Sequence, residues 1–538
     1  MFSHSLSSSP SSRRRLVLLA RDQANSFLSF RQCRPFSTTR IITSPHRKVA
    51  VVGSGPSGCY TAKYLRTAWD KMGDGKNASN TIDIIERLPT PYGLVRFGVA
   101  PDHPEVKNVQ NDFNSLFDHG DKGIQFLGNV QVGRDVSIDE LRIRYDAVIL
   151  ATGCESDRRL GLPNEESLSG ILSAREFVAW YNGHPDYTHI GEQVQSALGT
   201  GGTDHEGVIN ASVVVVGQGN VALDCARVLA KGGGGLFDTD IASHTLPILK
   251  NGVSQITLVG RRGHVQGAFT IKELRELVQL QEEGFDTSFV VREDELDMGA
   301  TPASNEELNA PGGRPKQRIN KLLRKATANN PTDNKGNTTA TKRIDLRFLM
   351  SPTSWEPSED DASKLGTLVC ERTRLEGGAG KQKAIGTGEL ERIPARLALV
   401  SIGYKAVAIP GMDTTFFSDE DQGRVRHEQG RIDAPTATEG GLYTSGWFKR
   451  GPSGIIGTNI PDARETVATV LQDLETSVAV NPDEPPLESL LKERCVDVVD
   501  WEAYQRIEMQ ETTQKRSEHQ PREKVTDRSM LIDLASGR

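Results

Sequence analysis

Two stretches of the chain repeat one order of apolar and polar positions. They read KVAVVGSGPSGCYTAKYLR at residues 48–66 and SVVVVGQGNVALDCARVLA at residues 212–230. In both, at least four apolar residues precede a glycine-rich turn, and a segment with helical spacing follows. A buried strand, a tight turn and a helix in this order form the start of a dinucleotide-binding βαβ unit. The pattern therefore predicts an α/β fold with two Rossmann-like units.

Other apolar runs indicate where the two units begin and end. TIDIIE at residues 81–86 and DAVILATG at residues 146–153 are typical of further strands in the first unit. The segments 396–403 and 440–460 are also strand-like, and we expect both to return to the first unit, so that the domains interleave. The predicted ranges are 46–153 and 395–475 for the first domain, 154–394 for the second domain, and 476–538 for a C-terminal extension.

The first 44 residues differ from the rest in composition. They are rich in serine and contain seven arginines but a single acidic residue, Asp22. This composition is typical of a mitochondrial transit peptide, although a basic arm that stays attached would look similar. The predicted location is the mitochondrial matrix, including the surface of the inner membrane.

The remaining composition excludes several classes of protein. A formal charge of −7 over 538 residues gives no general attraction to nucleic acid. The apolar runs fall short of the roughly 18 residues of a membrane-spanning helix, so no transmembrane segment is predicted. The six cysteines form no C-x-x-C pair, which argues against a dithiol redox centre, an iron–sulfur cluster on the usual spacing and a zinc ribbon. No metal site is predicted.

The first glycine turn has the features of a complete dinucleotide site. Gly53 permits the tight turn, Gly55 lets the backbone approach the phosphates, and Gly58 allows the helix to pack closely. The pyrophosphate is expected at the helix N-terminus. Glu86, at the end of the next strand, is the predicted acceptor for the ribose hydroxyls of an adenosine.

The second glycine turn differs at the residue that reads the ribose. Gly217, Gly219 and Ala222 give a G-x-G-x-x-A pattern, and the next apolar strand ends in Arg261 and Arg262 rather than in an acid. Paired guanidinium groups match a 2′-phosphate, whereas a charged pair at a strand end can also be merely solvated. The position favours NADP(H) over NAD(H). Two such sites suit a bound FAD and a visiting NADPH that exchange a hydride, without a catalytic triad.

Four blocks of sequence carry a family resemblance. They read PYGLVRFGVAPDHPEVKNV at residues 91–109, GQGNVALD at 217–224, LVGRRGHVQGAFTIKELREL at 258–277 and GWFKRGPSGIIG at 446–457. In these blocks the chain resembles the mitochondrial adrenodoxin reductase family of NADPH:ferredoxin oxidoreductases. The similarity extends from about residue 48 to about residue 474. It implies a glutathione-reductase-like architecture of two interleaved domains.

The resemblance also implies roles for individual residues. Beside Gly53, Gly55, Gly58 and Glu86, the positions implied for FAD are Ser57, Leu94, Val132, Trp447, Gly454, Ile455 and Ile456. The positions implied for NADP are Gln218, Gly219, Asn220, Val221, Arg261, Arg262, Glu273 and Gly454. Glu273 could equally belong to a solvated helix face. The resemblance places His103 and Asp224 near the flavin, where they could supply a proton, although hydride transfer requires no such group.

A basic run in the second domain is the predicted docking site for an electron acceptor. The segment GGRPKQRINKLLRK contains Arg314, Lys316 and Arg318 with no acid between them, in an otherwise acidic chain. Such a run is commonly a solvated helix face. The resemblance implies an acidic 2Fe-2S ferredoxin as partner, and local positive charge would steer it. Such ferredoxins supply cytochromes P450, iron–sulfur cluster synthesis or haem A synthesis.

Two other functions bind the same cofactors. A single-component flavin monooxygenase would use FAD and NADPH but would need a substrate pocket and would consume oxygen with its product. A non-enzymatic flavin sensor would hold FAD without steady turnover of NADPH. Oxidation of NADPH with and without an iron–sulfur carrier separates both from a ferredoxin reductase.

Overall fold

The computed structural model describes residues 46–72, 79–117, 123–199, 202, 207–328, 340–417, 424–480 and 483–538. The transit peptide predicted for residues 1–44 lies outside these ranges. Within them, no helix combines the length and the apolar character needed to cross a membrane.

The strands of the described residues fall into two large sheets and two small ones. In chain order they are β1 (Lys48–Val52), β2 (Thr81–Ile85), β3 (Ile124–Leu127), β4 (Ala147–Leu150), β5 (Ser156–Asp157), β6 (Ile171–Ser173), β7 (Ile209–Val216), β8 (Val253–Val259), β9 (Thr287–Val291), β10 (Lys342–Arg347), β11 (Met350–Pro357), β12 (Leu365–Glu376), β13 (Lys383–Pro394), β14 (Leu397–Val400), β15 (Tyr404–Lys405), β16 (Arg431–Asp433) and β17 (Gly441–Thr444).

Helices pack on the two large sheets, and the three-stranded sheet β11-β12-β13 packs on one face of the second. The helices are α1 (Pro56–Lys71), α2 (Leu94–Phe97), α3 (Pro104–Lys107), α4 (Val109–Phe117), α5 (Ile138–Arg142), α6 (Ala174–Tyr181), α7 (Ile190–Gly199), α8 (Asn220–Gly235), α9 (Leu246–Leu249), α10 (Ile271–Val278), α11 (Glu293–Gly299), α12 (Pro302–Asn309), α13 (Arg314–Ala328), α14 (Trp447–Arg450), α15 (Asn459–Thr476), α16 (Leu487–Glu493), α17 (Trp501–Thr513) and α18 (Arg528–Ala535).

The first large sheet has the strand order β16-β17-β4-β1-β2-β3 and is parallel except for the edge pair β16 and β17. Its centre, β1, is buried on both faces, because Val49 and Val51 pack in one apolar cluster and Ala50 packs in another on the opposite face. Strand β17 pairs with β4 although almost three hundred residues separate them in the chain. The start of segment 440–460 therefore returns to the first sheet as predicted, but only residues 441–444 form a strand, and Trp447–Arg450 form α14.

The second large sheet has the order β6-β14-β7-β8-β10-β9 and is parallel throughout. The prediction that segment 396–403 returns to the first domain is wrong, because β14 pairs with β6 and β7 inside the second sheet. The predicted boundary between residues 394 and 395 consequently cuts off a central strand of the second domain. A short run that is apolar on both faces does not indicate which of two sheets it joins.

The C-terminal extension bridges the two domains. Helices α17 and α18 pack on the apolar core beside α1 and β3 of the first sheet. The guanidinium of Arg516 donates hydrogen bonds to the carbonyl oxygens of Phe237, Thr239 and Ile241, each at 2.9 Å, in the second domain. Lys524 lies between the domains: its fully buried ammonium is 3.0 Å from a carboxylate oxygen of Asp240. These contacts tie the end of the chain to both halves.

Because the ammonium of Lys524 is buried, we expect the stability of the folded chain to depend on pH. Burial lowers the pKa of Lys524 from an ordinary value of 10.5 to about 7. The unfolded chain therefore holds this proton over a pH range in which the folded chain has released it, and the free energy of unfolding rises with pH across that range. Lys524→Met should remove roughly 2 kcal/mol of that rise over two pH units above neutrality. Urea unfolding of the wild-type chain and the variant at several pH values measures this free energy. Equal slopes of the free energy of unfolding against pH in the two chains would contradict the prediction.

Candidate functional sites

The first glycine turn is closely packed at Gly58 and open at Gly55. A Cβ atom at Gly58 would lie 1.8 Å from the carbonyl oxygen of Gly53, so the crossing of the turn and α1 admits only glycine there. A Cβ atom at Gly55 would meet no atom within 4 Å. The open space therefore lies at the N-terminus of α1, where backbone N–H groups and the helix dipole favour a phosphate.

The carboxylate of Glu86 is held at the mouth of this turn. One of its oxygens accepts hydrogen bonds from the backbone N–H of Ser54 at 3.0 Å and from its hydroxyl at 2.7 Å; the other accepts from the N–H of Leu88 at 3.0 Å. Since a carboxylate offers about four acceptor positions, one remains for a hydroxyl of a ligand. The geometry fits the predicted contact with a ribose.

Two more segments implied for FAD meet the first turn. Leu94 opens α2 and is 40% exposed; a Cβ atom at the preceding Gly93 would lie 3.2 Å from the Cα atom of Gly55. The other segment begins at Gly446, where a Cβ atom would lie 2.4 Å from the Ser57 hydroxyl oxygen. Residues that are distant in the chain thus surround one opening.

The remaining residues implied for FAD differ in exposure. The half-buried Trp447 donates from its indole N–H to the carbonyl oxygen of Ser453 at 3.1 Å. Gly454 is exposed, and Ile455 is 65% exposed, so this strip offers backbone and an apolar side chain to a ligand. Val132, in contrast, is 8% exposed and belongs to the core of the first domain. Ile456, which packs partly against the same domain, completes the set.

The second glycine turn repeats this arrangement. Gly217 has a φ of +135°, and a Cβ atom there would lie 2.1 Å from the carbonyl oxygen of Ser401, whereas a Cβ atom at Gly219 would meet nothing within 4 Å. The Gln218 amide donates to the carbonyl oxygen of Arg347 at 2.9 Å, which ties the turn to the end of β10, two strands away from β7. The open space again lies at the N-terminus of a helix, here α8.

The first turn of α8 is tied to the loop that follows β8. The side-chain oxygen of Asn220 accepts a hydrogen bond from the backbone N–H of Thr270 at 2.8 Å. Val221 is partly buried and packs against the core of the second domain. The hydroxyl of Thr270 in turn donates to the carboxylate of Glu273, in the first turn of α10. Glu273 thereby lies close to the second glycine turn.

Arg261 and Arg262 directly follow β8 and are both exposed. Their backbone is fixed, because the carbonyl oxygen of Arg261 accepts from the Thr373 hydroxyl at 2.8 Å and that of Arg262 accepts from the N–H of Leu349 at 3.2 Å. Among the described residues neither guanidinium forms an ion pair. Two guanidinium groups beside the second turn are therefore available to an anionic group such as a 2′-phosphate.

A cluster of charged side chains joins the two domains near these turns. The Nε2 atom of His103 lies 2.8 Å from a carboxylate oxygen of Glu276, on α10. The buried Arg227, on α8, donates to both carboxylate oxygens of Asp102, at 2.8 and 3.0 Å. Its third nitrogen lies 2.8 Å from a carboxylate oxygen of Asp224. His103 and Asp224 therefore belong to one cluster but have different direct partners.

The acids of this cluster differ in their affinity for protons. Burial raises the pKa of Asp224, although the charge of Arg227 opposes the shift. Burial also raises the pKa of Glu273, and the nearby charge of Asp224 adds to that shift. Burial alone would raise the pKa of Asp102 as well, but the charge of Arg227 and its hydrogen bonds lower it well below the ordinary value. Asp224 and Glu273 are thus the two acids that retain protons most readily here.

Sequence reasoning missed Arg227 and Glu276. Arg227 follows Asp224 by three residues on an otherwise apolar helix, and this spacing was a usable signal, because it places both side chains on one face. Glu276 offered no comparable signal. Its partner His103 lies far away in the chain, and only the docking of α10 beside α3 brings the pair together.

The basic run folds as helix α13, which has two chemically different faces. Arg314, Arg318, Lys321 and Lys325 are exposed, and their spacing of three and four residues places them on one stripe of the helix. Lys316, in contrast, forms an ion pair with Glu307 of α12. The predicted docking set therefore changes: Lys316 is paired within the chain, while Lys321 and Lys325 extend the exposed stripe.

Comparison with known proteins agrees with the fold and the two turns. A family model described as pyridine nucleotide-disulphide oxidoreductase matches residues 47–287. Two parallel sheets, each with an open glycine turn at a helix N-terminus, define a pyridine nucleotide-linked oxidoreductase of this fold. Among solved structures, Mycobacterium tuberculosis FprA in complex with NADPH is 35% identical, with a TM-score of 0.79, and the match covers 92% of this chain and all of that one.

Curated relatives make the assignment more specific. The mitochondrial NADPH:adrenodoxin oxidoreductase of Arabidopsis thaliana is 39% identical over 91% of this chain and 95% of its own length. The Homo sapiens protein of the same name is 38% identical over 93% of this chain and 94% of its own length. The chain belongs to the NADPH:adrenodoxin oxidoreductase family, which confirms the resemblance found in the sequence.

Proposed function

We propose that the chain is a mitochondrial NADPH:ferredoxin oxidoreductase that binds FAD at the first glycine turn and NADP(H) at the second. When bound, FAD accepts a hydride from NADPH and releases electrons singly to a 2Fe-2S ferredoxin. The observation that carries the proposal is the pair of open turns, one beside the carboxylate of Glu86 and the other beside Arg261 and Arg262. Family membership supports the acceptor and the location.

The first domain would hold FAD through contacts from several segments. The N-terminus of α1 would bind the pyrophosphate, and Glu86 would accept from the adenosine ribose. Leu94, Trp447 and the exposed strip from Gly454 to Ile456 would pack beside the flavin ring. Val132, whose side chain is buried, would contribute only through its backbone.

The second domain would hold NADP(H) and position its nicotinamide. The N-terminus of α8, at Gly219, Asn220 and Val221, would bind the pyrophosphate. Gln218 supports the turn through its bond to the Arg347 carbonyl. Arg261 and Arg262 would read the 2′-phosphate. Residues from both domains complete the site: Glu273 and Gly454 would contact the nicotinamide half, and His103 and Asp224 would lie near the flavin.

The exposed stripe of α13 would dock the acidic ferredoxin. Its four cations lie on one face of a helix in a chain of net negative charge, so they create a local field of the opposite sign. Such a field accelerates association with an acidic partner more than it strengthens the bound complex.

Steady-state kinetics test the proposed reaction. The purified chain should oxidise NADPH rapidly only when a 2Fe-2S ferredoxin, followed by cytochrome c as final acceptor, is present. A single-component monooxygenase would instead consume oxygen with a substrate and without the carrier. A flavin sensor would show no steady turnover under either condition, and both of these results would contradict the proposal.

The first turn also predicts how FAD is retained. Gly58→Ala forces a methyl group against the Gly53 carbonyl oxygen and moves the helix N-terminus, so FAD binding should weaken by about tenfold or more, roughly 1.4 kcal/mol. The ratio of absorbance at the flavin and protein bands measures occupancy after purification. Gly378→Ala is the matched control, because a Cβ atom there meets nothing within 4 Å. Full flavin content in a folded Gly58→Ala variant would exclude this turn as the FAD site.

A further inference from the structure

A polar cavity lies beside the loop that carries His103, and Pro101 and Pro104 of this loop line it. It has a volume of about 130 Å³ and lies where α3 and α4 meet the C-terminal extension and Asp240 of the second domain. Neither glycine turn lines it, and neither do Arg261 and Arg262. We call it the C-terminal cavity. Its four cationic lining residues are Arg96, Lys107, Arg522 and Lys524.

These cations outnumber the acids that pair with them. Lys107 and Lys524 share Asp240, with nitrogen–oxygen distances of 2.5 and 3.0 Å. Arg96 and Arg522 share Glu511. Arg522 also lies 2.9 Å from a second acid, Glu508 of α17. When Lys524, whose pKa burial lowers to about 7, carries its proton, four positive charges face three negative charges, which leaves one positive charge in excess.

The two arginines also retain unused hydrogen-bond donors. Arg96 is 1% exposed, and among the described residues its Nε and Nη1 atoms have no hydrogen-bond acceptor. The buried Nη1 atom of Arg522 lies 3.6 Å from a carboxylate oxygen of Glu511, beyond hydrogen-bond distance. Buried donors normally have an acceptor, because an unpaired polar group loses the hydrogen bonds that it makes to water. Excess charge and unpaired donors both point to a missing anionic acceptor.

We propose that the C-terminal cavity binds a small tetrahedral oxyanion of the phosphate class. Its cations belong to different segments, so they would approach a ligand from several directions. A tetrahedral anion presents acceptors in all of those directions, whereas a planar carboxylate does not. The volume corresponds to a few water molecules, at about 30 Å³ each, which admits inorganic phosphate or a small phosphomonoester but no nucleotide.

The bound anion would lock the extension onto both domains. Arg96 and Lys107 belong to the first domain, Asp240 to the second, and Arg522 and Lys524 to the extension. Burial lowers the pKa of Lys524 to about 7, and an adjacent anion would favour its charged form. The ligand would therefore stabilise the assembled chain rather than take part in hydride transfer.

Thermal unfolding of the full chain tests this proposal. Sulfate and inorganic phosphate, each added at millimolar concentration with NaCl adjusted to constant ionic strength, should raise the Tm in a saturable way. The Arg261→Ala/Arg262→Ala variant should keep this rise, because its altered residues lie outside the cavity. Arg522→Gln/Lys524→Met should bind sulfate at least about tenfold more weakly. Arg522→Gln alone serves if the double variant does not fold.

The possible results separate the proposal from its alternatives. A rise in Tm no greater than that given by chloride would overturn the proposal, and so would an equal rise in the cavity variants. Loss of the rise in Arg261→Ala/Arg262→Ala would assign the effect to the coenzyme site and would also overturn it. Glycerol 3-phosphate distinguishes the two candidate ligands. If it competes with sulfate, the cavity accepts a phosphomonoester. If only inorganic phosphate displaces sulfate, the cavity binds the free ion.

Discussion

Replacement of Arg261 and Arg262 by alanine is expected to lower kcat/KM for NADPH about 100-fold while that for NADH changes little. A charge-assisted hydrogen bond contributes about 1.5 to 3 kcal/mol, and a hundredfold change corresponds to about 2.7 kcal/mol. In the proposed site the exposed guanidinium groups would make such bonds only to a coenzyme that carries the 2′-phosphate. Ferricyanide as acceptor isolates this half of the reaction from ferredoxin docking.

A matched variant controls for the loss of two positive charges. Arg159 and Arg392 are exposed arginines that pair with Glu166 and Glu356, respectively. Their joint replacement by alanine should leave the preference for NADPH intact. Equal losses for NADPH and NADH in Arg261→Ala/Arg262→Ala would show that these residues support the turn instead of reading the phosphate.

Charge reversal on the exposed stripe of α13 is expected to slow ferredoxin-dependent turnover by about tenfold or more at low salt. Arg314→Glu/Arg318→Glu/Lys321→Glu would repel the acidic partner that, in the proposed function, the wild-type helix would attract. The difference should shrink as salt rises, because screening acts over about 8 to 10 Å at moderate ionic strength. Reduction of ferricyanide by NADPH should remain nearly unchanged, since this acceptor needs no docking surface.

Two further variants sharpen this test. Lys383→Glu/Lys492→Glu/Lys515→Glu makes the same change in net charge at exposed positions elsewhere and should turn over ferredoxin normally. Lys316→Gln alters the paired side of α13 and should affect stability more than docking, because it removes the ion pair with Glu307. Wild-type ferredoxin kinetics in the reversed triple variant across a salt series would mean that the stripe is only a solvated face.

The parts of the molecule that were predictable from sequence are those encoded locally. Each glycine turn is a few residues long and must combine a tight bend with close helix packing, so Gly53 to Gly58 and Gly217 to Ala222 were recognisable without the structure. The position of Arg261 and Arg262 was equally predictable, because the end of the strand that follows a glycine turn, here β8, has a fixed position relative to that turn.

The parts that were not predictable depend on contacts between distant segments. Strand β14 is apolar on both faces, and its sequence suits either large sheet equally well. The pairing of Lys316 with Glu307 depends on how α12 packs beside α13. The cavity cations come from segments some four hundred residues apart, so no local pattern connected Arg96 to Arg522.

The return of β17 to the first sheet determines the order in which the molecule can fold. Strand β4 remains an unpaired edge until residues 441–444 reach it, by which time the whole second domain has already been made. The second domain can complete its own sheet earlier, because β14 precedes β17 in the chain. Closing so long a loop is slow, and an unpaired strand edge invites aggregation in the meantime. During synthesis the first domain therefore exposes an unpaired strand edge for longer than the second domain does.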